Sequence, residues 1–329
     1  MIAAMHAENQ LYLTRSVLAF ALGCDEDRLD RVLRILRREA MLDSGETYIL
    51  TRHRRIAEAA CETLEDDGYD FKRWYPYLAK SAHREFVDRY SGNPDIAKWE
   101  FEFANHFIGK GARSWPVARN VAKALCETQE DDPIRLTFYS KVLRETDVPG
   151  EAMVLLKVKG ERFRSRREVL YEWSVVAGKI GDPGLAAWLG GRSLADGDSP
   201  PNPKQCKLSL AGLGRTFELL YESTGRAVFI ESQAACGRLG LELPDLDATA
   251  LEYFGRHASV EADENRAQPT GEENVQTLKN AVTVAADEAE PDNNPPFFEN
   301  LLGDPNGYRY ADLLRVIGGD APARTARQH

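Results

Sequence analysis

From Ile56 onward, turn-forming residues recur at regular intervals between amphipathic segments. Breaks rich in Gly, Pro, Asp and Asn lie near positions 112, 148 and 182, a spacing of about 34 to 36 residues. The intervening segments carry apolar residues at helical spacing and show almost no strand pattern. A period of this length is typical of helix pairs that must stack on neighbouring pairs to bury their apolar faces. The sequence therefore predicts a mainly α-helical fold.

The stretch SRREVLYEWSVVAGKIGDPGLAAWLGGRSLAD shows how one pair is built. Its first helix places Val169, Trp173 and Val176 on one side. Small residues lie on both sides of the turn, at Ala177–Gly178 and at Ala186–Ala187. They allow two antiparallel helices to approach closely, while the bulky residues fill the space to the next pair.

We predict a tetratricopeptide-like array, an α-solenoid, over residues 56–258. The repeats are degenerate, so HEAT-like or irregular helical pairs remain open. Residues 259–318 are predicted to form an acidic linker and C-terminal capping helices, because residues 241–300 hold about fourteen acids against three bases. The last residues, 319–329, are predicted to be a disordered tail.

Residues 1–55 have a different pattern. Amphipathic helices are predicted over Leu13–Cys24 and Asp25–Leu42, followed by a turn at Asp43–Gly45 between two strand-like pieces. Helix, turn, longer helix and β-hairpin is the order of a winged-helix domain, which we predict for residues 1–55. The apolar stripe of the second helix comprises Leu29, Val32, Leu33, Leu36 and Ala40.

Composition narrows the classes of function. The chain has 329 residues, a net charge of −10 and 43% hydrophobic residues, and no apolar run approaches the roughly 20 residues that span a bilayer. A secretory signal is not expected, and five scattered cysteines fit a reducing compartment. These features favour a cytoplasmic protein without a membrane partner, and the net charge makes a nucleic-acid partner unlikely.

No catalytic or metal-binding motif is present. The sequence lacks a P-loop, a G-x-S-x-G elbow, an H-E-x-x-H motif and any C-x-x-C pair, so we predict no enzymatic activity and no metal site. The glycine pair Gly190–Gly191 is best explained by close helix packing. Histidines such as His83 and His106 are interpreted as satisfied surface or core residues. The tryptophans, together with Tyr75 and Tyr77, are interpreted as seam-filling residues rather than a peptide groove.

The stretch YILTRHRRIAEAA joins a strand-like segment directly to an amphipathic helix. Its motif residues are Thr51, Arg52, His53, Arg54, Ile56, Ala57 and Glu58. A winged helix that ends in this pattern and continues into helical repeats resembles the STAND-type NTPases, particularly the bacterial ones of antiphage defence. The motif resemblance covers about residues 10–60, and beyond them it is architectural.

The resemblance implies that His53, assisted by Arg52, contacts the phosphates of a nucleotide held by a neighbouring ATPase module. An imidazole beside guanidinium groups suits a diphosphate. Because the 329 residues contain no P-loop, ATP or ADP would be bound only through an ATPase module supplied in cis or in trans, and no other cofactor is expected. The alternative is that Arg52–Arg55 are the solvated start of a helix, with Glu58 pairing one arginine.

Three functions follow from these patterns. The first is a non-catalytic sensor and regulatory region of a STAND-type defence ATPase, whose repeats recognise a protein ligand and whose winged helix relays it. The second is a generic tetratricopeptide-like interaction scaffold. The third is a DNA-binding regulator, suggested by the helix arginines Arg28, Arg31, Arg34, Arg37 and Arg38. Acidic residues at the start of that helix, Asp25–Asp27, would repel the DNA backbone and make this third function less favoured.

Overall fold

The computed structural model describes residues 1–8, 13–39, 42–44, 48–89, 94–195, 200–261, 269–298 and 309–318. It divides into two compact units, Met1–Asp147 and Val148–His329, which we call unit 1 and unit 2. The division coincides with the sequence break near position 148, and the boundary predicted after residue 55 lies inside unit 1. Gly45, residues 262–268 of the predicted linker and the predicted tail lie outside the described residues.

The protein is mainly helical, as predicted, and the described residues after Thr51 form no strand. Within the described ranges, no helix is long and apolar enough to cross a membrane.

Unit 1 begins with α1 (Ile2–Ala7), β1 (Leu13–Thr14), α2 (Arg15–Leu22), α3 (Glu26–Arg38), β2 (Leu42–Ser44) and β3 (Tyr48–Thr51). The strands form one antiparallel sheet in the order β1-β3-β2, in which Leu13 is paired with Ile49 and Leu42 with Thr51. The two strand-like pieces around the predicted turn are therefore confirmed. The sequence pattern did not predict α1.

The helix predicted over Leu13–Cys24 is shorter than expected, because its first two residues belong to the sheet. Leu13 is buried in the core, and the Thr14 hydroxyl caps α2 by accepting the backbone N–H of Val17 at 3.2 Å. Gly23 ends the helix in the left-handed conformation, with φ of 62°.

The predicted N-cap of α3 is confirmed, since the Asp25 carboxylate accepts the backbone N–H three residues later at 2.6 Å. Only part of the predicted apolar stripe is buried. Leu29 and Leu33 enter the core, whereas Val32 is 50% exposed and its prediction was wrong. Ala40 lies outside the described residues.

The remainder of unit 1 comprises α4 (Arg54–Asp66), α5 (Tyr75–Arg89), α6 (Pro94–Gly109), α7 (Trp115–Thr128) and α8 (Pro133–Glu145). Helix α1 packs against α4 and β3, α2 against α5, and α5 against α6 and α7. Three fully buried rings, those of Tyr75, Phe103 and Phe107, lie at the centre with each pair of centroids 5.2 Å apart.

Unit 2 contains α9 (Pro149–Lys159), α10 (Arg167–Lys179), α11 (Pro183–Leu194), α12 (Pro203–Thr224), α13 (Ala227–Leu241), α14 (Ala248–Ala258), α15 (Gly271–Ala286) and α16 (Ala311–Ile317). The predicted pair α10–α11 is antiparallel. Arg167, at the start of α10, donates to the carbonyl of Ser193 near the end of α11 at 3.0 Å, and the hydroxyl of Ser174 donates to the carbonyl of Ala186 at 2.7 Å.

Helices α12 and α14 run in the same direction, as equivalent helices of successive repeats do. The Tyr253 hydroxyl donates to the carbonyl of Ala211 at 2.8 Å, and one turn further along both helices Gly214 faces the ring of His257. Helix α13 lies between them in sequence and packs on both. Helices α10, α12 and α14 therefore form one layer, with α11 and α13 behind it.

Helix α15 covers the second layer, because it packs on both α11 and α13. A Cβ on Gly191 would lie 2.7 Å from Cγ1 of Val282 in α15, and a Cβ on Gly190 would lie 3.0 Å from the side chain of Leu213 in α12. The interpretation of this glycine pair as a close-packing site is confirmed.

The segment after α15 turns back over α10 and α11. The buried carboxylate of Asp182 accepts the backbone N–H of Glu290 at 3.2 Å and the side-chain amide of Asn293 at 3.0 Å. Further on, Phe297 packs edge-on to Trp173, with ring centroids 5.6 Å apart, and Trp188 lies on its other side. The sequence indicated only that this segment is rich in turns and did not predict these contacts.

Candidate functional site

The arginine–histidine corner lies where β3 ends and α4 begins. His53 is the N-cap of α4: its backbone is extended, and its Nδ1 accepts the backbone N–H of Arg55 at 3.1 Å. An imidazole can accept at Nδ1 only when that nitrogen is unprotonated, so the proton of the neutral ring resides on Nε2. His53 is exposed, and its Nε2–H is a donor at the molecular surface.

The arginines of the corner point into solvent. Arg52 and Arg55 are exposed, and Arg54 donates through Nε to the carboxylate of Glu58 at 2.8 Å, one helical turn along. The predicted pairing of Glu58 with one arginine is confirmed. Both members of this pair are about half exposed, so its contribution to stability is small.

A second histidine, His6 of α1, reaches the same corner. Its Nδ1 makes a short hydrogen bond with the Thr51 hydroxyl, which in turn donates to the carbonyl of His53 at 3.3 Å. Burial lowers the pKa of His6, the positive charge of Arg54 lowers it further, and Glu58 opposes them. The structure thus brings together two histidines that are separated by 47 positions in the sequence, which no local pattern indicated.

The corner is suited to an anion but is also complete without one. The positive end of the α4 dipole and the surrounding guanidinium groups favour an anion, although the N–H groups of Ile56 and Ala57 donate to the carbonyl of His53 at 2.9 and 3.3 Å. The Arg55 N–H, however, already has a partner in Nδ1 of His53. An anion that approaches the helix terminus must therefore replace the histidine cap or bind beside it through Nε2.

Unit 2 offers a second candidate, the outward face of the layer that α10, α12 and α14 form. On α12 this face carries Leu208 and Leu219, which are 40% and 45% exposed. Gly212 and Arg215 lie between them on the same side of the helix, and the space next to Gly212 is open. We call these four residues the α12 face. Exposed apolar side chains that lie close together are common in surfaces that bind other proteins.

Positive charge lies beside the α12 face. Arg256 stacks over the ring of Tyr253 at 5.6 Å, and Arg215 is near the same tyrosine. Burial raises the pKa of Tyr253, with Cys236 and Glu218 adding to the increase, while the two arginines oppose it. Among the described residues, neither arginine forms an ion pair with a carboxylate.

The other residues singled out in the sequence are structural. Tyr75, Trp173 and Trp188 are fully buried, which is consistent with seam-filling residues and not with an open peptide groove, whereas Tyr77 is 56% exposed. Each of the three other described histidines forms a hydrogen bond. His83 accepts from Arg135 at 2.7 Å, the ring of His106 bonds to Glu8 at 2.9 Å, and the ring of His257 bonds to Gln233 at 2.7 Å.

Comparisons with known proteins do not identify a family. No protein-family model, no curated protein and no solved structure matches this chain. The described residues contain no cluster of three or more His, Cys, Asp or Glu side chains that could hold a metal ion.

Proposed function

We propose that this chain is a non-catalytic sensor and regulatory region of a STAND-type defence ATPase. Unit 2 would be a tetratricopeptide-like array that recognises a protein ligand, and the first part of unit 1 would be a winged-helix domain. The order α2, α3, β2, β3 supports the second assignment, as does the antiparallel pairing of β2 with β3.

The observation that carries the proposal is the unequal covering of the two faces of the array. Within unit 2, helix α15 packs across α11 and α13, whereas Leu208 and Leu219 on the outward side of α12 remain 40% and 45% exposed. The α12 face therefore keeps two half-exposed leucines and an arginine in solvent. A surface of this kind gains stability when a partner covers the leucines and supplies an acidic group to the arginine.

The corner has a separate role in the proposal. In a protein that contains the ATPase module, Nε2 of His53 and the guanidinium of Arg52 would contact the phosphates of bound ADP and favour the resting state. His53→Ala is expected to lower the amount of ADP that such a protein retains through purification. Unchanged retention would remove His53 from the nucleotide site.

The ligand-binding part is tested by co-expressing the tagged chain with individual phage proteins and measuring which ones are retained. A double substitution, Leu208→Glu with Leu219→Glu, is expected to abolish retention. Val154→Glu is the matched control, because Val154 is 62% exposed on α9 of the same unit. If only a longer protein containing the ATPase retains a phage protein, the array is not an independent sensor.

A generic interaction scaffold is the alternative function. It shares the exposed α12 face but needs no nucleotide at the corner. A P-loop ATPase encoded in the same gene or the adjacent one favours the sensor. A bound partner unrelated to phage, together with unchanged behaviour of a His53→Ala variant, favours the scaffold.

A further inference from the structure

Helix α3 has more apolar surface than the core of unit 1 covers. Leu29 and Leu33 are buried, but Val32 and Ile35, on the adjoining side of the helix, are 50% and 59% exposed. The same side carries Arg28, so that Arg28, Val32 and Ile35 follow one another at spacings of four and three residues. We call these three residues the α3 seam. Alternating spacings of four and three are those of a helix that packs lengthwise on another helix.

We propose that the α3 seam is a docking surface for an acidic amphipathic helix of a partner protein. The α3 seam is distinct from the α12 face, so the proposal for one surface can fail without the proposal for the other.

The charges beside the seam specify the chemistry of the partner. Four arginines on the exposed part of α3 have no carboxylate partner among the described residues; they are Arg28, Arg31, Arg34 and Arg38. Asp30, the one acid in the middle of α3, pairs instead with Arg15 of α2 at 3.7 Å. A partner that covers Val32 and Ile35 therefore brings its flanking side chains against guanidinium groups. Glu or Asp at those positions forms ion pairs, and Lys or Arg is repelled.

DNA fits this surface less well than a protein does. A recognition helix contacts base edges mainly through residues near its N-terminus. In α3 that end carries Asp25, Glu26 and Asp27, which repel phosphate groups. The centre of the exposed side is apolar, and two half-exposed β-branched side chains are matched by leucines of another helix rather than by a phosphate backbone.

The experiment measures binding of a synthetic helix by fluorescence anisotropy. The first peptide has about three heptads, with Leu at the seam positions and Glu at the flanking positions. The second has the same composition with the leucines distributed around the helix, and the third has Lys in place of Glu. A duplex of roughly 20 base pairs is the nucleic-acid probe. Each probe is titrated with the full chain at about 50 and 200 mM salt.

Two double substitutions define the surface: Val32→Asp with Ile35→Asp, and Arg31→Glu with Arg38→Glu. Leu64→Asp is the matched control, since Leu64 of α4 is 38% exposed in the same unit. Circular dichroism identifies variants that keep the helical content of the wild type, and only these are compared. The first peptide is expected to bind wild-type protein, and each double substitution is expected to weaken it by about tenfold or more. Leu64→Asp is expected to change the affinity less than about twofold.

Several results would overturn the proposal. They are equal binding of all three peptides, no binding of the first peptide, and double variants that bind it as tightly as wild type does. Duplex DNA that binds more tightly than the first peptide, and is lost with the arginine variant, would assign the surface to nucleic acid. A concentration-dependent dimer that the Val32→Asp, Ile35→Asp variant abolishes would assign it to a second copy of the chain.

Discussion

Replacement of Gly237 by alanine tests the close approach of α13 and α14. A Cβ at this position would lie 2.8 Å from the Cα of Ala258 and 2.8 Å from the carbonyl carbon of His257, and closer still to the Ala258 amide nitrogen. All three are backbone atoms, so no side chain can rotate away. An ordinary carbon–carbon contact is about 3.5 to 4.0 Å, and α14 would have to move outward by about an ångström.

The change in the free energy of unfolding is the sum of two opposing terms. Alanine in a helix interior is more favourable than glycine by about 0.5 to 1 kcal/mol. Overpacking typically costs about 1 to 3 kcal/mol, and a clash with fixed backbone belongs at the upper end of that range. Movement of α14 would also stretch the hydrogen bond between Gln233 and His257, now 2.7 Å long. We expect Gly237→Ala to lower the free energy of unfolding of unit 2 by about 2 kcal/mol.

Gly212→Ala is the matched control, because Gly212 lies inside α12 and a Cβ there would meet nothing within 4 Å. This variant should gain about 0.5 to 1 kcal/mol. Urea unfolding followed by tryptophan fluorescence measures both, with Trp173 and Trp188 as buried reporters in unit 2. With a denaturant slope of about 2 kcal/mol per molar, Gly237→Ala should lower the midpoint by about 1 M. A Gly237→Ala protein as stable as Gly212→Ala would refute the proposed spacing of these helices.

Substitutions at three further residues test other contacts. Burial lowers the pKa of His257, so below about pH 6.5 the unfolded chain binds more protons than the folded one. The free energy of unfolding of unit 2 should therefore fall as the pH falls from about 7 to 5, and it should fall less in His257→Gln. Urea titrations that show the same pH dependence in both proteins would contradict the assignment of this effect to His257. Asp182→Ala removes the acceptor of three hydrogen bonds and should lower the free energy of unfolding, measured in urea, by about 3 kcal/mol. A loss below about 1 kcal/mol would show that other contacts hold the segment containing Glu290 and Asn293. His53→Ala should lower the stability of unit 1 by about 1 kcal/mol in thermal unfolding, while His53→Asn keeps the cap, and equal melting of the two variants would show that the cap contributes nothing.

Local signals in the sequence were sufficient for the helical architecture. The caps and breaks depend on residues within one turn of each other, so the Asp25 cap and the loops near 148 and 182 could be predicted without a partner segment. Gly190–Gly191 was also assignable, because two glycines inside an amphipathic helix have few explanations other than close packing. Element type and helix ends were therefore predictable over most of the chain.

Long-range contacts were not predictable from these signals. Val32 belongs to the apolar stripe of α3 by spacing, yet whether the core reaches it depends on how α3 meets α2 and the sheet. The two rings at Phe297 and Phe298 gave no periodic signal, because they follow a single 3-10 turn, Pro291–Asn293, and no long amphipathic run contains them. Its neighbours Trp173 and Trp188 lie more than a hundred positions away. Periodicity describes one element at a time and cannot identify the surface that covers it.

The same limit applied to the corner, where the motif located His53 but not His6. The resemblance concerned a continuous stretch from Thr51 to Glu58, and α1 lies outside it. Once α1 packs on α4 and β3, the His6 ring contacts Thr51 and lies near the positive charge of Arg54. An anion bound at the corner would remove part of that repulsion and raise the pKa of His6. If the corner binds an anion as proposed, the titration of His6, the residue that sequence reasoning missed, would report whether the anion is bound.

The corner and the array differ in how they can respond to a ligand. Between α13 and α14, the backbone of one helix packs directly on the backbone of the other at Gly237. Because no side chain lies between them to repack, the two helices can move only as one unit. At the corner, an anion that took the Arg55 N–H would displace Nδ1 of His53, which would give two arrangements that differ by one hydrogen bond. A ligand shifts such an equilibrium only when its affinities for the two arrangements differ. An anion that needs the Arg55 N–H would bind more tightly to the arrangement in which Nδ1 of His53 has left it. We therefore expect pyrophosphate to shift the Arg55 amide resonance and leave the Ala258 amide unchanged, whereas shifts at both amides would show that the anion acts elsewhere.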